Sequence, residues 1–428
     1  MKSRCNEQLW NSRLFFVFAV AHPRLCSNGG VKIQIRALYQ TEGYRIEKIS
    51  SDGERAQVEL LWDERCKPRC EQCSALMRIN RKTRQGAMDL PLASAGFVLV
   101  VYEAVQGYCR HCARYETVRP LEIVEQHQAT LRVMRQVSLL CRWLPLARVC
   151  EFLPVVPSSA YRWDRYILQT ELPEPRLDGL EAILVDEKAI RKGQGGFVTV
   201  VINARNGELL HLAEGRNKES LESFFSKLTP EQKRSIVAVG MDRSGPYRAV
   251  VKKQLPKAEI VLDKFHIIAN YHEVIDRIRR RSYQQASGPA REFIKGQRYN
   301  LLRRPENVNA QGKVALKKLL AANADLHTAY VLKDELQQLW LYRYPKSAAK
   351  ALEGWVELAL DAGIAELSRF ANGLLEAKEQ IISFCKHQLT SAKIESFNAL
   401  ISRVIHKACG ISNLDYLWLK LRQASLQA

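Results

Sequence analysis

Ala182-Ile183-Leu184-Val185-Asp186 is a short apolar run that ends on an acid, and Ile236-Val237-Ala238-Val239-Gly240-Met241-Asp242 repeats the pattern downstream. Such runs, rich in β-branched residues, read as buried strands. A carboxylate at the tip of a buried strand is held rigidly and still reaches solvent. A third acid, Glu395, lies within Thr390-Ser391-Ala392-Lys393-Ile394-Glu395-Ser396-Phe397-Asn398. Asp186 and Asp242 on neighbouring strand tips, joined by Glu395 from a helix, would form a cage for two divalent metals. Two metals in such a cage can activate a water and stabilise the leaving oxygen of a phosphodiester. A lone aspartate at a strand end is ordinarily a cap or turn residue, so the reading depends on all three acids and their order. Glu187 would point to the opposite strand face and is the weaker candidate.

The surrounding pattern gives that order. A strand over 181–186 is followed by strands over 196–203 and 208–213, which flank Asn206-Gly207, a hairpin signal. A helix is expected over 218–228, a strand over 235–241, a helix after Pro246, a strand over 259–263 and a long helix from Lys264. Three strands, then alternating helices and strands, is the order of a ribonuclease H-like fold, a mixed sheet with helices on both faces. Asp263 and His266 form Asp-x-x-His after the last strand. They read either as a cap and a packing residue, or as support for the acids or contacts to the scissile phosphate. Residues 265–390 read as nearly all helix, and 391–424 as one or two amphipathic helices separated near Cys409-Gly410.

Upstream, Cys70-x-x-Cys73 and Cys109-x-x-Cys112 stand 35 residues apart. Two such knuckles can give four thiolates to one structural zinc in tetrahedral geometry. Cys66 could replace a ligand of the first knuckle, and His111 reads as a bystander. Residues 129–168 are helical in period, broken at Pro145, Pro154 and Pro157. Two short helices with a tight break, the second capped by Ser158 and bearing Arg162 and Arg165, fit a helix-turn-helix that binds double-stranded DNA. A plain helical linker is the alternative. Pro173 and Pro175 mark a boundary. The expected organisation is multidomain α/β: a leader at 1–33, a zinc-binding domain at 34–125, a helix-turn-helix domain at 126–170, and an α/β catalytic domain at 178–428 with an all-α insertion at about 270–390.

Bulk properties agree. The 428 residues carry a formal net charge of +20, from 65 basic and 45 acidic residues, which favours a polyanionic partner. Eleven cysteines in a long chain, clustered in pairs, favour metal binding in a reducing compartment over a disulfide scaffold. The apolar run Leu14–His22 resembles a short signal-peptide core but is too short to span a bilayer. No membrane association and a cytoplasmic location are expected.

With these motifs in view, the chain resembles bacterial insertion-sequence transposases of the ISL-three group, within the DDE superfamily, from about residue 34 to 424. The resemblance rests on the cysteine pairs, the helical block and six strings. These are Val185-Asp186-Glu187, Glu214-Gly215-Arg216-Asn217, Met241-Asp242-Arg243-Ser244-Gly245-Pro246-Tyr247, Leu255-Pro256-Lys257-Ala258, Val261-Leu262-Asp263-Lys264-Phe265-His266 and Ile394-Glu395-Ser396-Phe397-Asn398. It implies that Asp186, Asp242 and Glu395 are the catalytic acids and hold Mg2+ or Mn2+. Asp263, His266 and Arg216 become candidates for supporting the acids or contacting DNA. The 152 residues between Asp242 and Glu395 would house the insertion domain. The implied activity is binding of terminal inverted repeats, cleavage at the transposon ends and joining of the 3′-OH ends to target DNA. Synapsis of two ends implies a homo-oligomer. Arg279, Arg280 and Arg281 read either as phosphate contacts or as a solvated helix face. The rival functions are a zinc and helix-turn-helix regulator with an inert catalytic domain, and a structure-selective nuclease of the same fold.

Overall fold

The computed structural model describes residues 37–426 except 53–54, 92–96 and 192–195. The expected leader at 1–33 lies outside the described residues. The chain divides into two compact units, one running to Leu172 and including His406–Ile411, the other Pro173–Ile405 with Ser412 onward. Both are α/β.

The first unit is built on strands β1 (Tyr44–Ser51), β2 (Arg55–Trp62), β3 (Arg78–Asp89), β4 (Phe97–Cys109), β5 (Arg114–Val118), β6 (Ile123–Val124) and β7 (Ala129–Thr130). They form one sheet in the order β1-β2-β4-β3-β7-β6, with β5 on β4. Alternate residues point to one core: Val58, Leu60 and Trp62 from β2 meet Val98, Val100, Tyr102 and Ala104 from β4. Helices α1 (Leu131–Cys141), α2 (Leu146–Phe152) and α3 (Pro157–Glu171) follow. Met134, Val137, Val149, Ala160, Trp163 and Ile167 form their common core. The expected Ser158 cap is corrected. Pro157 occupies the first helical position after Val156, and no side chain caps the helix. Proline suits that position because its fixed φ and missing N–H cost nothing there.

In the second unit β8 (Ala182–Ala189), β9 (Phe197–Asn203), β10 (Leu209–Glu214), β11 (Ala238–Met241) and β12 (Glu259–Leu262) pair in the order β10-β9-β8-β11-β12. The first three are antiparallel, and β8, β11 and β12 are parallel. The hairpin at Asn206-Gly207 forms as expected, with Gly207 at φ +77°, a conformation that glycine adopts without strain. Helices α4 (Lys218–Phe225), α5 (Pro230–Ser235) and α6 (Gly245–Gln254) intervene. The short α5 takes the start of the strand expected over 235–241. Thr229 and Gln232 form a capping box around Pro230, a strong local helix start. Tyr247 ties α6 down through a hydroxyl contact of 2.7 Å to Thr199 on β9.

The long α7 (Lys264–Gln285) opens the helical body, as expected. It is followed by α8 (Gly288–Gly296), α9 (Arg298–Leu302), α10 (Ala310–Ala322), α11 (Ala324–Gln338), α12 (Pro345–Asp361), α13 (Ala365–Glu376), α14 (Lys378–Ile382) and α15 (Phe384–His387). Tyr271, Trp355 and Phe370 pack ring on ring at its centre, with centroids 5.1–5.9 Å apart. The arginine run is ion-paired within the helical body, with Arg279 buried and Arg280 exposed. Arg279 is buried and donates to Asp276 at 2.9 Å, Arg280 shares that carboxylate, and Arg281 binds Glu366 and Asp325 at 2.8 and 2.7 Å. The chain then returns to the sheet, where Ser383 Oγ donates to the Ile260 carbonyl at 2.7 Å. Helices α16 (Ala392–Lys407) and α17 (Leu414–Ser425) end the described chain. No helix among the described residues is long and apolar enough to cross a membrane.

In the first unit Asp89 is buried against Arg132 and accepts from Tyr39 and Thr130, each at 2.6 Å. Burial pushes its carboxyl up, but the Arg132 guanidinium and the two hydroxyls outweigh this and hold it below the usual value. Its stabilisation is therefore complete above the unfolded carboxyl range, near pH 4, and is lost as pH falls through the lower folded value. Replacing Asp89 with Asn strands a half-buried guanidinium. It should lower unfolding stability by about 2–4 kcal/mol at pH 7, measured by urea denaturation, with the difference shrinking in acid.

Candidate functional site

The parallel register builds the site. Ala182, Ile183 and Leu184 pair with Ala238, Val239 and Gly240, while Gly240 and Met241 pair with Val261 and Leu262. Carried one or two residues further, the same register sets Asp186, Asp242 and Asp263 in one row across the carboxyl ends of the three strands. Side chains in such a row share a face. Ligands of open α/β sheets bind at these ends. Gly240 permits the close spacing: a Cβ there would lie 2.5 Å from Leu184 Cδ2 and 3.5 Å from Leu389.

The row opens into a small cleft of about 20 Å3, lined by Asp186, Asp242, Asp263, His266, Ser391 and Ile394 among others. Asp186 lies within β8, which runs on past it to Ala189 along β9, so the strand does not end at the acid as expected. Its Oδ1 accepts from the Glu187 N–H at 2.8 Å and its Oδ2 from Asn398 Nδ2 at 2.7 Å. Asp242 follows β11 and accepts from the Ser244 N–H at 2.9 Å. Arg243 and Arg248 moor that turn to the helical body through the Gly373 carbonyl at 2.8 Å and Gln380 at 3.2 Å. Asp263 caps α7, accepting from the Phe265 N–H at 3.2 Å, and His266 Nε2 lies 3.7 Å from its Oδ2.

Burial pushes the Asp186 carboxyl up. The Glu187 N–H, Asn398 and His266 oppose that rise, and neighbouring Asp242 adds to it. Two buried acceptors here have no hydrogen-bond partner, Asp263 Oδ2 and Asn398 Oδ1. Crowded hard oxygens with unmet acceptors fit a divalent cation, which would reverse the cost of charging Asp186. Asp186, Asp242 and Asp263 are the carboxylates that could hold it.

Glu395 stands differently. It is exposed on the first turn of α16 and accepts from Ser391 Oγ at 2.5 Å. It does not line the cleft, whereas Asn398, three residues on, touches Asp186. Positions three apart share a helical face, so Glu395-x-x-Asn398 was the available signal for this residue. Arg216 is exposed, 3.4 Å from Glu187 and stacked over Phe197.

In the first unit Cys70, Cys73, Cys109 and Cys112 converge, with all four sulfurs within 4.8 Å of one another. Among the described residues, this is the one set of three or more His, Cys, Asp or Glu donors drawn that close. The hairpin of β3 and β4 spans the interval between the knuckles. The Cys112 N–H, 3.4 Å from Cys109 Sγ, holds the Cys109 thiol down to about 7, while its sulfur neighbour Cys73 and burial push Cys112 up to about 12. Glu116 braces the first knuckle, accepting from the Glu71 N–H at 2.9 Å. Cys66 is not a member of the cluster, and its carbonyl instead accepts from Trp62. On α3, Arg162 is exposed and folded back on Ser158 and Ser159, and Arg165 is half-buried.

A carboxyl raised by burial destabilises the fold above its folded value, and the loss disappears as pH falls through the unfolded range near pH 4. In chelator at pH 7, Asp186→Asn should therefore melt at or above the wild-type temperature, with the two converging in acid. A lower melting temperature at pH 7 would mean that the ionised carboxylate stabilises the fold.

Comparison with known proteins gives the lineage. Residues 183–421 match the family described as Transposase, in its ISL3 division. The transposase for insertion sequence element IS1001 of Bordetella parapertussis is 33% identical over 359 residues, covering 83% of this chain and 88% of that protein. The transposase for insertion sequence element IS1557 of Mycobacterium tuberculosis is 26% identical over 264 residues, covering 56% of this chain and 59% of its own length. The family match spans both the five-stranded sheet and the helical body that follows it, and the likeness to IS1001 extends well upstream of them, so this chain belongs to the ISL3 family of DDE transposases.

Proposed function

We propose that the protein is a DNA transposase that cleaves at the ends of its own element and joins the freed 3′-OH ends to target DNA. The observation that carries this reading is the row of Asp186, Asp242 and Asp263 around a cleft, with an unpartnered buried acceptor on Asp263 and another on Asn398, which binds Asp186. Divalent cations bound there, Mg2+ or Mn2+, would activate the attacking oxygen and stabilise the leaving one. Asp186, within β8, and Asp242, just past β11, would hold the cations from the paired sheet. Glu395 joins them when its carboxylate leaves Ser391 and turns towards the row. Asp263 orients His266, which faces the scissile phosphate from the exposed side of α7. Arg216 contacts the DNA backbone. Water and then the 3′-OH attack phosphorus in line, and the departing oxygen takes up a proton. No protein nucleophile is used.

The strand order β10-β9-β8-β11-β12 supports a ribonuclease H-like catalytic domain over about 178–428, interrupted by the helical body as an insertion. The three-helix block supports a helix-turn-helix, with α2 and α3 as the pair and Arg162 presented to double-stranded DNA. The four thiols support a structural zinc. Tetrahedral ligands at about 2.3 Å stand roughly 3.8 Å apart, and the Cys70–Cys112 and Cys73–Cys109 sulfurs lie at 3.9 and 3.5 Å. The cysteine-bearing and helical segments bind the inverted repeats, and the pairing of two ends requires at least two copies of the chain.

Incubation with a labelled inverted-repeat end and Mg2+ should give a nick at the repeat boundary. Asp242→Asn should slow it by about a thousandfold, as several kcal/mol of transition-state stabilisation are lost. A nick that persists in the variant, or repeat binding with no nick in the wild type, would reject this mechanism. Metal analysis should find one zinc per chain, lost in Cys109→Ser. Because binding displaces thiol protons, zinc should be held less tightly as pH falls below about 7. Cys109→Ser should weaken repeat binding while Asp242→Asn leaves it intact.

A further inference from the structure

Helix α16 meets the carboxylate row through an amide. Glu395 is turned to solvent and bound to Ser391, while Asn398 Nδ2 donates to Asp186 Oδ2 at 2.7 Å. With the Glu187 N–H on Oδ1, each oxygen of Asp186 accepts one fixed donor and keeps capacity for another contact. The other half of the Asn398 amide is left without a partner: Oδ1 is buried and accepts from nothing. A buried acceptor in that condition is unfavourable, and the arrangement becomes favourable when an electropositive group arrives. On β8, the Glu187 N–H is already committed to Asp186.

We propose that Asn398 both orients Asp186 and supplies, through Oδ1, a neutral oxygen donor to the divalent cation held on Asp186. The inference rests on the acid–cation reading of the cleft. Hard cations take asparagine carbonyl oxygens alongside carboxylates. A neutral donor completes the coordination shell without adding a like charge beside Asp186 and Asp242. It also anchors the helix that carries Glu395 before that residue engages.

The test uses the full chain with its cysteine cluster loaded with zinc, and reads Mn2+ binding by calorimetry together with melting temperature in chelator and in Mn2+. Asn398→Leu keeps the shape and removes both polar groups. Asn398→Asp keeps an oxygen in place but loses the donor and adds charge. Mn2+ affinity should fall about 10–100-fold in Asn398→Leu, the range for losing a group that orients or completes a metal site. Asn398→Asp should bind at least as tightly as wild type, melt lower in chelator, and gain more from Mn2+. Wild-type affinity in Asn398→Leu would overturn the proposal. So would Asn398→Asp binding as weakly as Asn398→Leu. If Asn398→Leu does not fold, the Mn2+-induced rise in melting temperature of Asn398→Asp decides: larger than wild type supports the proposal, equal or smaller overturns it. Asp186→Asn and Asp242→Asn separate the two levels. If they also keep wild-type affinity, the acid–cation reading fails. If they lose it while Asn398→Leu keeps it, only the role of Asn398 fails.

Discussion

The parallel register of β8, β11 and β12 is the constraint on which the rest of this structure depends. Three acids far apart in the chain stand side by side because three short apolar strands pair without a slip. A shift of one residue would turn one member of the row to the other face of the sheet. The register is pinned by packing. Ile183, Val185, Val239 and Ile260 share one core with Leu221, Phe224 and Val251. Gly240 lets β11 approach Leu184 and Leu389 closely. Parallel strands need covered faces and long crossovers; α6 makes the crossover from β11 to β12, and Phe384 of the helical body packs against Ala238 and Val261.

The row itself works against the fold. Carboxylates gathered at strand ends are desolvated and repel one another, and Asp186 bears the cost in its raised carboxyl. The moorings around it offset this. Arg243 and Arg248 fasten the Asp242 turn to the helices, Tyr247 joins Thr199 and Ser220 behind it, and Ser383 binds the edge strand. The helical body thus does more than fill the gap between the second acid and α16. It buries its own ion pairs, such as Asp276 with Arg279, and holds the sheet's rim from outside.

Much of this was legible from residue patterns. Apolar runs ending in acids announced β8, β11 and β12, and Asn206-Gly207 announced the hairpin. The two cysteine knuckles foretold their convergence. What was not legible depends on tertiary context. The helix α5 won its residues through a local capping box that the apolar run at 236–241 obscured. Arg281 looked free because its acid partners at 325 and 366 are remote in the chain, while Arg279 and Arg280 share Asp276 one turn away on the same helix. Ser158 looked like a cap, but Pro157 had already set the first turn. Asn398 was hidden by its neighbour: an acid three residues earlier drew attention, and only the folded geometry separates the side chain that faces Asp186 from the one that faces water.

The contact between Asn398 and Asp186 joins residues 212 positions apart. Loop closure of that span comes late, because every intervening helix must be made before it is rewarded. During synthesis, β8, β11 and β12 emerge well before α16, so the nascent chain carries its acidic row without the helix that completes the cleft. Chain order thus delays completion of the cleft until α16 has been made.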